Sequence, residues 1–294
     1  MKSACPLENN WRSTGQVLLG RPIFVLDGRS SMASDDIPVR IERRGRVGVL
    51  TLDRPDRRNA LSRFALQELG RLGRELVSDP EIRVIVLTGS GEKVFCAGAD
   101  LKERQGFTNE DVRVQVGLYR SELSALDHSP KPVIAALNGS AFGGGLEIAL
   151  LCDLRVAAPH VLLGLPETTL GIIPGAGGTQ RLPRVVGEAR AKEMILLGRS
   201  ITADIALSWG LVNRVSPAGV SVVDDAIAWA EPISNGAPIA QRAALASTDV
   251  SFDVTLEHGL ALERVHYDET LRSLDRLEAL KAFAEKRSPV FGGH

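Results

Sequence analysis

No apolar run in the 294-residue chain approaches the ~20 residues that a membrane-crossing helix needs. Net charge is scarce too: 35 Lys and Arg stand against 36 Asp and Glu, giving −1. No global basic field therefore draws the chain to nucleic acid or to an anionic membrane. Cysteine is nearly absent. Cys5, Cys96 and Cys152 have no metal-ligand spacing and form no disulfide framework, which points to a reducing compartment. For Cys96 and Cys152 the plain expectation is small buried packing. His128, His160, His258, His266 and His294 are scattered without ligand spacing, so no metal site is expected. Hydrophobic residues make up 44% and charged residues 24%, enough for a soluble protein with a sizeable core.

What is present is glycine at the ends of apolar runs. Pro132 to Leu137 reads as a short buried strand. Gly143-Gly144-Gly145 follows, then an apolar segment, 145–152, that reads as a buried helix. A strand, a glycine turn and a helix N-terminus place backbone N–H groups where an oxygen anion can approach. Glu147 lies about one helical turn beyond Gly144. On spacing alone it is either a helix-start charge or a catalytic carboxylate. A second such stretch runs from the strand Val84 to Thr88 into Phe95-Cys96-Ala97-Gly98-Ala99-Asp100-Leu101-Lys102. A third holds Leu165-Pro166-Glu167 and the glycine turn from Gly171 to Thr179. Taken alone, Glu167 is a hydrogen-bonded loop acid or a second catalytic carboxylate.

Taken in order, residues 1–37 mix Pro, Gly, Ser and Asn and are expected to be a disordered, dispensable leader. A mitochondrial targeting piece or translation beginning at Met32 would account for them. Val39 to Glu42 and Val47 to Leu52 read as a hairpin. A helix is expected from Ser62 to Ser78 with Phe64, Leu66, Leu69, Leu72 and Leu76 as its apolar face. Another is expected over Asp111 to Ala125, then a strand over Leu154 to Ala157. After about residue 180 the pattern reads as all-α. Short helices are expected at 178–186, 189–197 and 202–210, and longer ones at 223–233, 238–247, 254–274 and 275–285.

Several separated motifs together resemble the crotonase (enoyl-CoA hydratase/isomerase) superfamily. They are Arg54-Pro55 with Asn59-Ala60-Leu61, FCAGADLKER at 95–104, GGGLE at 143–147, PETTLGIIPGAGGTQRL at 166–182, and the stretches 191–215 and 282–289. The resemblance covers about 38–294 and looks nearest to the methylglutaconyl-CoA hydratase branch. It implies an α/β fold, a spiral of strand-strand-helix units over 38–222 with a helical oligomerisation segment over 223–294. It implies an acyl-CoA thioester as substrate, coenzyme A being part of that substrate, and no separate cofactor. It implies a homotrimer or a dimer of trimers. It places the protein in the cytoplasm, or in the mitochondrial matrix of a eukaryote.

Residue by residue, Ala99 and Gly144 match the oxyanion-hole positions, Glu147 and Glu167 the two catalytic carboxylates, and Gly175 a glycine that helps hold water. Arg57, Asn59, Ala60 and Leu61 match the segment that lines the nucleotide end of CoA by backbone contacts. By the same resemblance, Lys102 and the main chain of Ala99, Asp100, Leu101 and Lys102 border the pantetheine. Phe283 and Lys286 match residues that reach a neighbouring subunit's CoA; read alone, they are a core aromatic and a solvated lysine. The implied reaction is hydration of a short, branched or carboxylated 2-enoyl-CoA, with enoyl-CoA isomerisation as the sister chemistry. Some members of that branch bind AU-rich RNA through a lysine-rich helix. The matching helix, 62–78, has no lysine, and its Arg63, Arg71 and Arg74 are offset by Glu68 and Glu75.

Overall fold

The computed structural model describes residues 37–294, which form one compact unit. The expected leader lies outside the described residues, save Ile37. The chain begins with an antiparallel hairpin, β1 (Val39–Arg44) and β2 (Val47–Leu52). A single 3-10 turn (Pro55–Arg57) leads to α1 (Arg63–Ser78), whose first turn is capped by the Ser62 hydroxyl accepting from Ala65 N–H. Then come β3 (Val84–Gly89), β4 (Val94–Cys96), α2 (Leu101–Arg104) and α3 (Asn109–Asp127). Next are β5 (Val133–Leu137), β6 (Ser140–Phe142), α4 (Gly144–Ala149), β7 (Leu154–Ala157) and β8 (Leu162–Gly164). A second 3-10 turn, Glu167–Leu170, precedes α5 (Gly178–Val186), α6 (Glu188–Leu197), β9 (Ile201–Thr202), α7 (Ala203–Ser208) and β10 (Arg214–Val215). The chain ends with α8 (Val222–Ser234), α9 (Pro238–Asp249), α10 (Leu256–Leu271) and α11 (Leu274–Glu285).

Two sheets result. The larger runs β1-β2-β3-β5-β7-β10, parallel from β2 onward. The sequences of β2, β3 and β5 are apolar without alternation because every residue in them is buried. α1 packs against β1 and β2, and α8 against β2, β3, β5 and β7. Residues beyond 222 thus cover the same sheet that the earlier residues build. The smaller sheet runs β4-β6-β8-β9, with β4, β6 and β8 parallel.

Three expectations are corrected. The chain does not become all-α after residue 180, since β9 and β10 complete the two sheets. Two-residue strands carry no periodicity, and only their partners β8 and β7 define them. α4 ends at Ala149 rather than 152. On α1 the buried face is Ala65, Leu66, Leu69, Leu72 and Leu76, while Phe64 is exposed. Phe64 sits one position off the stripe that meets the sheet.

Candidate active site

Three strands of the smaller sheet run toward the same cavity. β4 leads to Ala99, β6 to Gly144 and β8 to Glu167. The cavity is about 510 Å³ and holds all three, with Glu147, at its wall.

The two backbone donors are built from opposite sides. Leu61 and Ala99 form a parallel bridge: Leu61 N–H donates to the Gly98 carbonyl (2.8 Å) and Asp100 N–H donates to the Leu61 carbonyl (3.1 Å). In that pattern the N–H of the bridged residue points the other way, so Ala99 N–H is turned from Leu61. Gly144 is the first residue of α4, where helical geometry leaves the N–H without an internal acceptor. Neither N–H has an acceptor among the described residues. Gly98 makes their approach possible. Its φ is +87°, and a Cβ there would lie 2.8 Å from the Phe142 carbonyl oxygen and 3.1 Å from Gly144 N. Gly145 is as tightly set, since its Cβ would meet the Cys96 carbonyl at 2.2 Å.

Glu147 projects from the first turn of α4 and is 3% exposed. Its Oε1 accepts from Ala176 N–H (2.7 Å) and Gly178 N–H (2.8 Å). Burial raises its pKa, and these two N–H groups oppose the rise by favouring the carboxylate. Glu167 opens the second 3-10 turn and is 8% exposed. Its Oε2 is buried and has no partner among the described residues. Burial, with the nearby Glu147 charge adding to it, lifts its pKa from 4.5 to about 7. One acid is therefore held by two N–H groups that favour its carboxylate, and the other, without such partners, has its pKa raised to about 7, so that both its protonated and ionised forms are populated at neutral pH.

Other expected residues fall into three groups. Gly175 and Leu101 line the cavity. Asn59, Ala60, Leu61 and Asp100 are buried, and their side chains serve the scaffold, so the ligand contacts expected of these segments would run through the backbone. Asn59 Nδ2 donates to the carbonyls of Ser90 and Val94, and its Oδ1 accepts from Arg54 N–H. Ala60 gives its carbonyl to Arg54, whose guanidinium also pairs with Asp100 at 3.0 Å. Leu61 is fully buried, with both backbone groups occupied. Asp100 caps α2 by accepting from Lys102 and Glu103 N–H. Arg57 and Lys102 are exposed outside the cavity wall. Phe283 and Lys286, on α11 and at its end, are exposed and do not join this chain's cavity.

Sequence reasoning missed Ala176 and Gly178, which hold Glu147. The Pro174-Gly175-Ala176-Gly177-Gly178 run was the available signal, because a glycine turn exposes successive N–H groups. It also missed Tyr119 on α3 and Arg104 on α2, which line the cavity as well. Arg104 donates to Gln115 Oε1 at 2.6 Å, and its charge lowers both glutamate pKa values.

A family model described as enoyl-CoA hydratase/isomerase matches residues 42–294. This chain belongs to the enoyl-CoA hydratase/isomerase family. Among its relatives is human "Enoyl-CoA hydratase domain-containing protein 2, mitochondrial", 43% identical over 247 residues, covering 83% of this chain and 85% of that protein. Mouse "Methylglutaconyl-CoA hydratase, mitochondrial" is 42% identical over 255 residues, covering 86% and 81%. A crystal structure of an enoyl-CoA hydratase from Bacillus anthracis superposes with a TM-score of 0.85 at 45% identity, over 88% of this chain and all of that one. The mixed α/β architecture with C-terminal helices is that of the crotonase superfamily.

Proposed function

We propose that the chain is an enoyl-CoA hydratase acting on a short or branched 2-enoyl-CoA. The observation that carries this reading is the pair of buried acids on one cavity, one clamped by two N–H groups and the other unpartnered with its pKa near 7. Hydration needs both states at once. The Glu147 carboxylate takes a proton from water while the water oxygen bonds to C3. The π electrons move onto the thioester oxygen, where Ala99 and Gly144 N–H receive the developing charge. The Glu167 carboxyl then gives its proton to C2. Preorganised donors of this kind contribute roughly 3–4 kcal/mol each. Gly175, beside Ala176, borders the place where the water would sit. No metal or redox group is required, since only protons and one water change places.

A single shuttling acid suffices for the sister isomerisation, so the retention of two differently held acids favours hydration. Leu101, Val112, Val116, Leu170, Ile172 and Ile173 give the cavity an apolar wall suited to a short acyl chain. The mouse methylglutaconyl-CoA hydratase relative supports a branched or carboxylated substrate. RNA binding of the AU-binding type is disfavoured. Arg63, Arg71 and Arg74 of α1 pair with Asp111, Glu68 and Glu122, leaving little charge for phosphates. No described helix is long and apolar enough to cross a membrane. The human and Arabidopsis relatives named as mitochondrial support a matrix location in a eukaryote, and the cytoplasm otherwise.

The assembly we propose is a trimer or dimer of trimers. Leu256, Leu260, Val265, Leu277, Leu280 and Phe283 lie exposed on α10 and α11, an apolar surface that a second copy would cover. Phe283 and Lys286 would then reach a neighbour's CoA. Light scattering at micromolar concentration should give at least three times the chain mass, and a monomer would overturn this assembly.

The test of the chemistry is Glu147→Gln and Glu167→Gln. Each should lower kcat on crotonyl-CoA by at least ~100-fold with much less change in KM. The double variant should be little worse than either single one. Wild-type hydration by the Glu167→Gln enzyme would refute the two-acid scheme, and 3-enoyl to 2-enoyl conversion without hydration would establish the isomerase.

A further inference from the structure

Tyr119 lines the cavity without a partner for its hydroxyl. It belongs to α3, where Gln115, Tyr119 and Leu123 recur every fourth residue and form the buried stripe with Leu126. One turn before it, Gln115 uses both its polar atoms: Oε1 accepts from Arg104, and Nε2 donates to Glu103 and to the Leu61 carbonyl. Tyr119 is 6% exposed, and its hydroxyl makes no hydrogen bond among the described residues. A desolvated donor destabilises a fold unless something takes its hydrogen, so native chains seldom keep one idle. Phenylalanine would fill the same space. Burial raises the phenol pKa well above its ordinary value, so the group stays a donor at working pH.

The place of the hydroxyl points to its acceptor. A Cβ built on Gly144 would lie 2.5 Å from it. In a helix the Cα–Cβ bond tilts toward the N-terminus. The free N–H groups of the first turn point the same way. Gly144 opens α4, so the Tyr119 hydroxyl lies on the side of Gly144 toward which its N–H is aimed. A phenol oxygen could accept from that N–H, yet no such bond forms. Glu167 Oε2, another idle polar atom at this cavity, does not bond to the hydroxyl either. Two donors therefore stand side by side, each without an acceptor among the described residues. The hydroxyl is closed to solvent. Such a niche still admits an oxygen that bonds to its walls, because a hydrogen bond draws two atoms inside their contact distance.

We propose that Tyr119 is a further catalytic residue, a third donor of the oxyanion site that gives its phenol O–H to the thioester oxygen beside the N–H groups of Ala99 and Gly144. A carbonyl oxygen has two lone pairs, which the two N–H groups take up. The enolate oxygen that forms as the π electrons move carries a third. The phenol is therefore engaged in full only as charge develops, which lowers the barrier rather than tightening substrate binding. Its O–H keeps its proton throughout. This role rests on the acyl-CoA reading of the cavity and not on hydration, since isomerisation passes through the same enolate.

Acetoacetyl-CoA tests this without turnover. It ionises to an enolate whose charge lies partly on the thioester oxygen and whose near-ultraviolet band the keto form lacks. On Tyr119→Phe the enolate-to-keto ratio of the bound ligand, read at one pH, should fall at least ~10-fold relative to wild type. Affinity for butyryl-CoA, a saturated thioester with no such charge, should change by less than about threefold in calorimetry. The variant should melt no lower than wild type, since it loses only an unpaired buried donor. An enolate ratio within about twofold of wild type overturns the proposal, as does an equal loss for both ligands. A fall in crotonyl-CoA kcat with the enolate ratio intact would assign the hydroxyl to the water or to a glutamate, and overturns it too. If the variant failed to fold, the wild-type chain would still decide. It has two tyrosines, Tyr119 and the exposed Tyr267, so labelling with 3-fluorotyrosine gives two fluorine signals. The Tyr119 signal should move further with acetoacetyl-CoA than with butyryl-CoA, and equal shifts overturn the proposal. Crotonyl-CoA hydration by the wild-type protein is scored apart. Its absence beside an intact Tyr119 effect would remove the hydratase reading and leave the third donor in place.

Discussion

Glu167→Gln should make the protein more stable as well as inactive, and the stabilisation should depend on pH. Glu167 is buried, and its Oε2 has no partner, so the ionised form costs free energy in the folded state. Its pKa is raised from 4.5 to about 7. That displacement corresponds to a cost of about 3 kcal/mol when the group is fully ionised, a ceiling that water entering the cavity lowers. Below pH 4.5 the carboxyl is protonated in both folded and unfolded chains, and no cost arises. Between 4.5 and about 7 the folded chain holds a proton that the unfolded chain has lost, so stability falls as pH rises. Above about 7 the cost is complete. Glutamine matches the neutral carboxyl in size and never ionises. The melting temperature of Glu167→Gln should therefore match the wild-type protein near pH 4.5–5 and exceed it at pH 8. For a domain of this size, about 2–3 kcal/mol is roughly 4–10 °C. Equal melting temperatures at pH 8, or a gap that is largest at low pH, would refute the picture of a buried, unpartnered acid.

The same titration should appear in the kinetics: kcat/KM for hydration should decline above about pH 7, as Glu167 loses the proton it must deliver. The acid limb should lie above pH 4.5, because burial raises the Glu147 pKa. A profile flat from about pH 6 to 9, measured with crotonyl-CoA, would count against these roles. Gly98→Ala should lower kcat at least ~10-fold while CoA binding persists, because its Cβ would press on the Phe142 carbonyl and Gly144 N. Its positive φ adds about 1–2 kcal/mol of strain, to be read as a lower melting temperature. Turnover within twofold of wild type would show that Gly98 does not set the donors.

Much of this was legible in sequence wherever the signal was local and repeated. The long runs of β2, β3 and β5, the capped α1 and the helices beyond 178 stand out because a buried strand and an amphipathic helix each write their own period. The glycine turns before Ala99 and Gly144 were legible too, as a turn needing positive φ leaves few residue choices. What failed was non-local. β4, β6 and β8 have three residues each, too few for a pattern, and exist because they pair with one another. Asn59 stands in a segment matched to CoA, and nothing local in the sequence shows that its side chain ties residue 54 to 90 and 94. Ala176 and Gly178 act through backbone N–H, which no side-chain chemistry advertises. Tyr119 lies on a helix of weak periodicity, so its hydroxyl could be placed only once its neighbours were known.

The smaller sheet has a consequence for how the protein tolerates change. Its three parallel strands stand side by side at the fixed pitch of a sheet, about 4.8 Å, and each is followed within three residues by one functional group. The sheet acts as a ruler for the reaction. Adding one residue between Cys96 and Ala99, between Phe142 and Gly144, or between Gly164 and Glu167 would shift that group by most of the distance to the next mark. Insertions elsewhere, such as the exposed turn at 105–108 between α2 and α3, leave the ruler untouched. Length should therefore drift freely around the wall that chooses the acyl group and be frozen at three short segments. A library of insertions scored for activity would trace those segments without reference to any substrate.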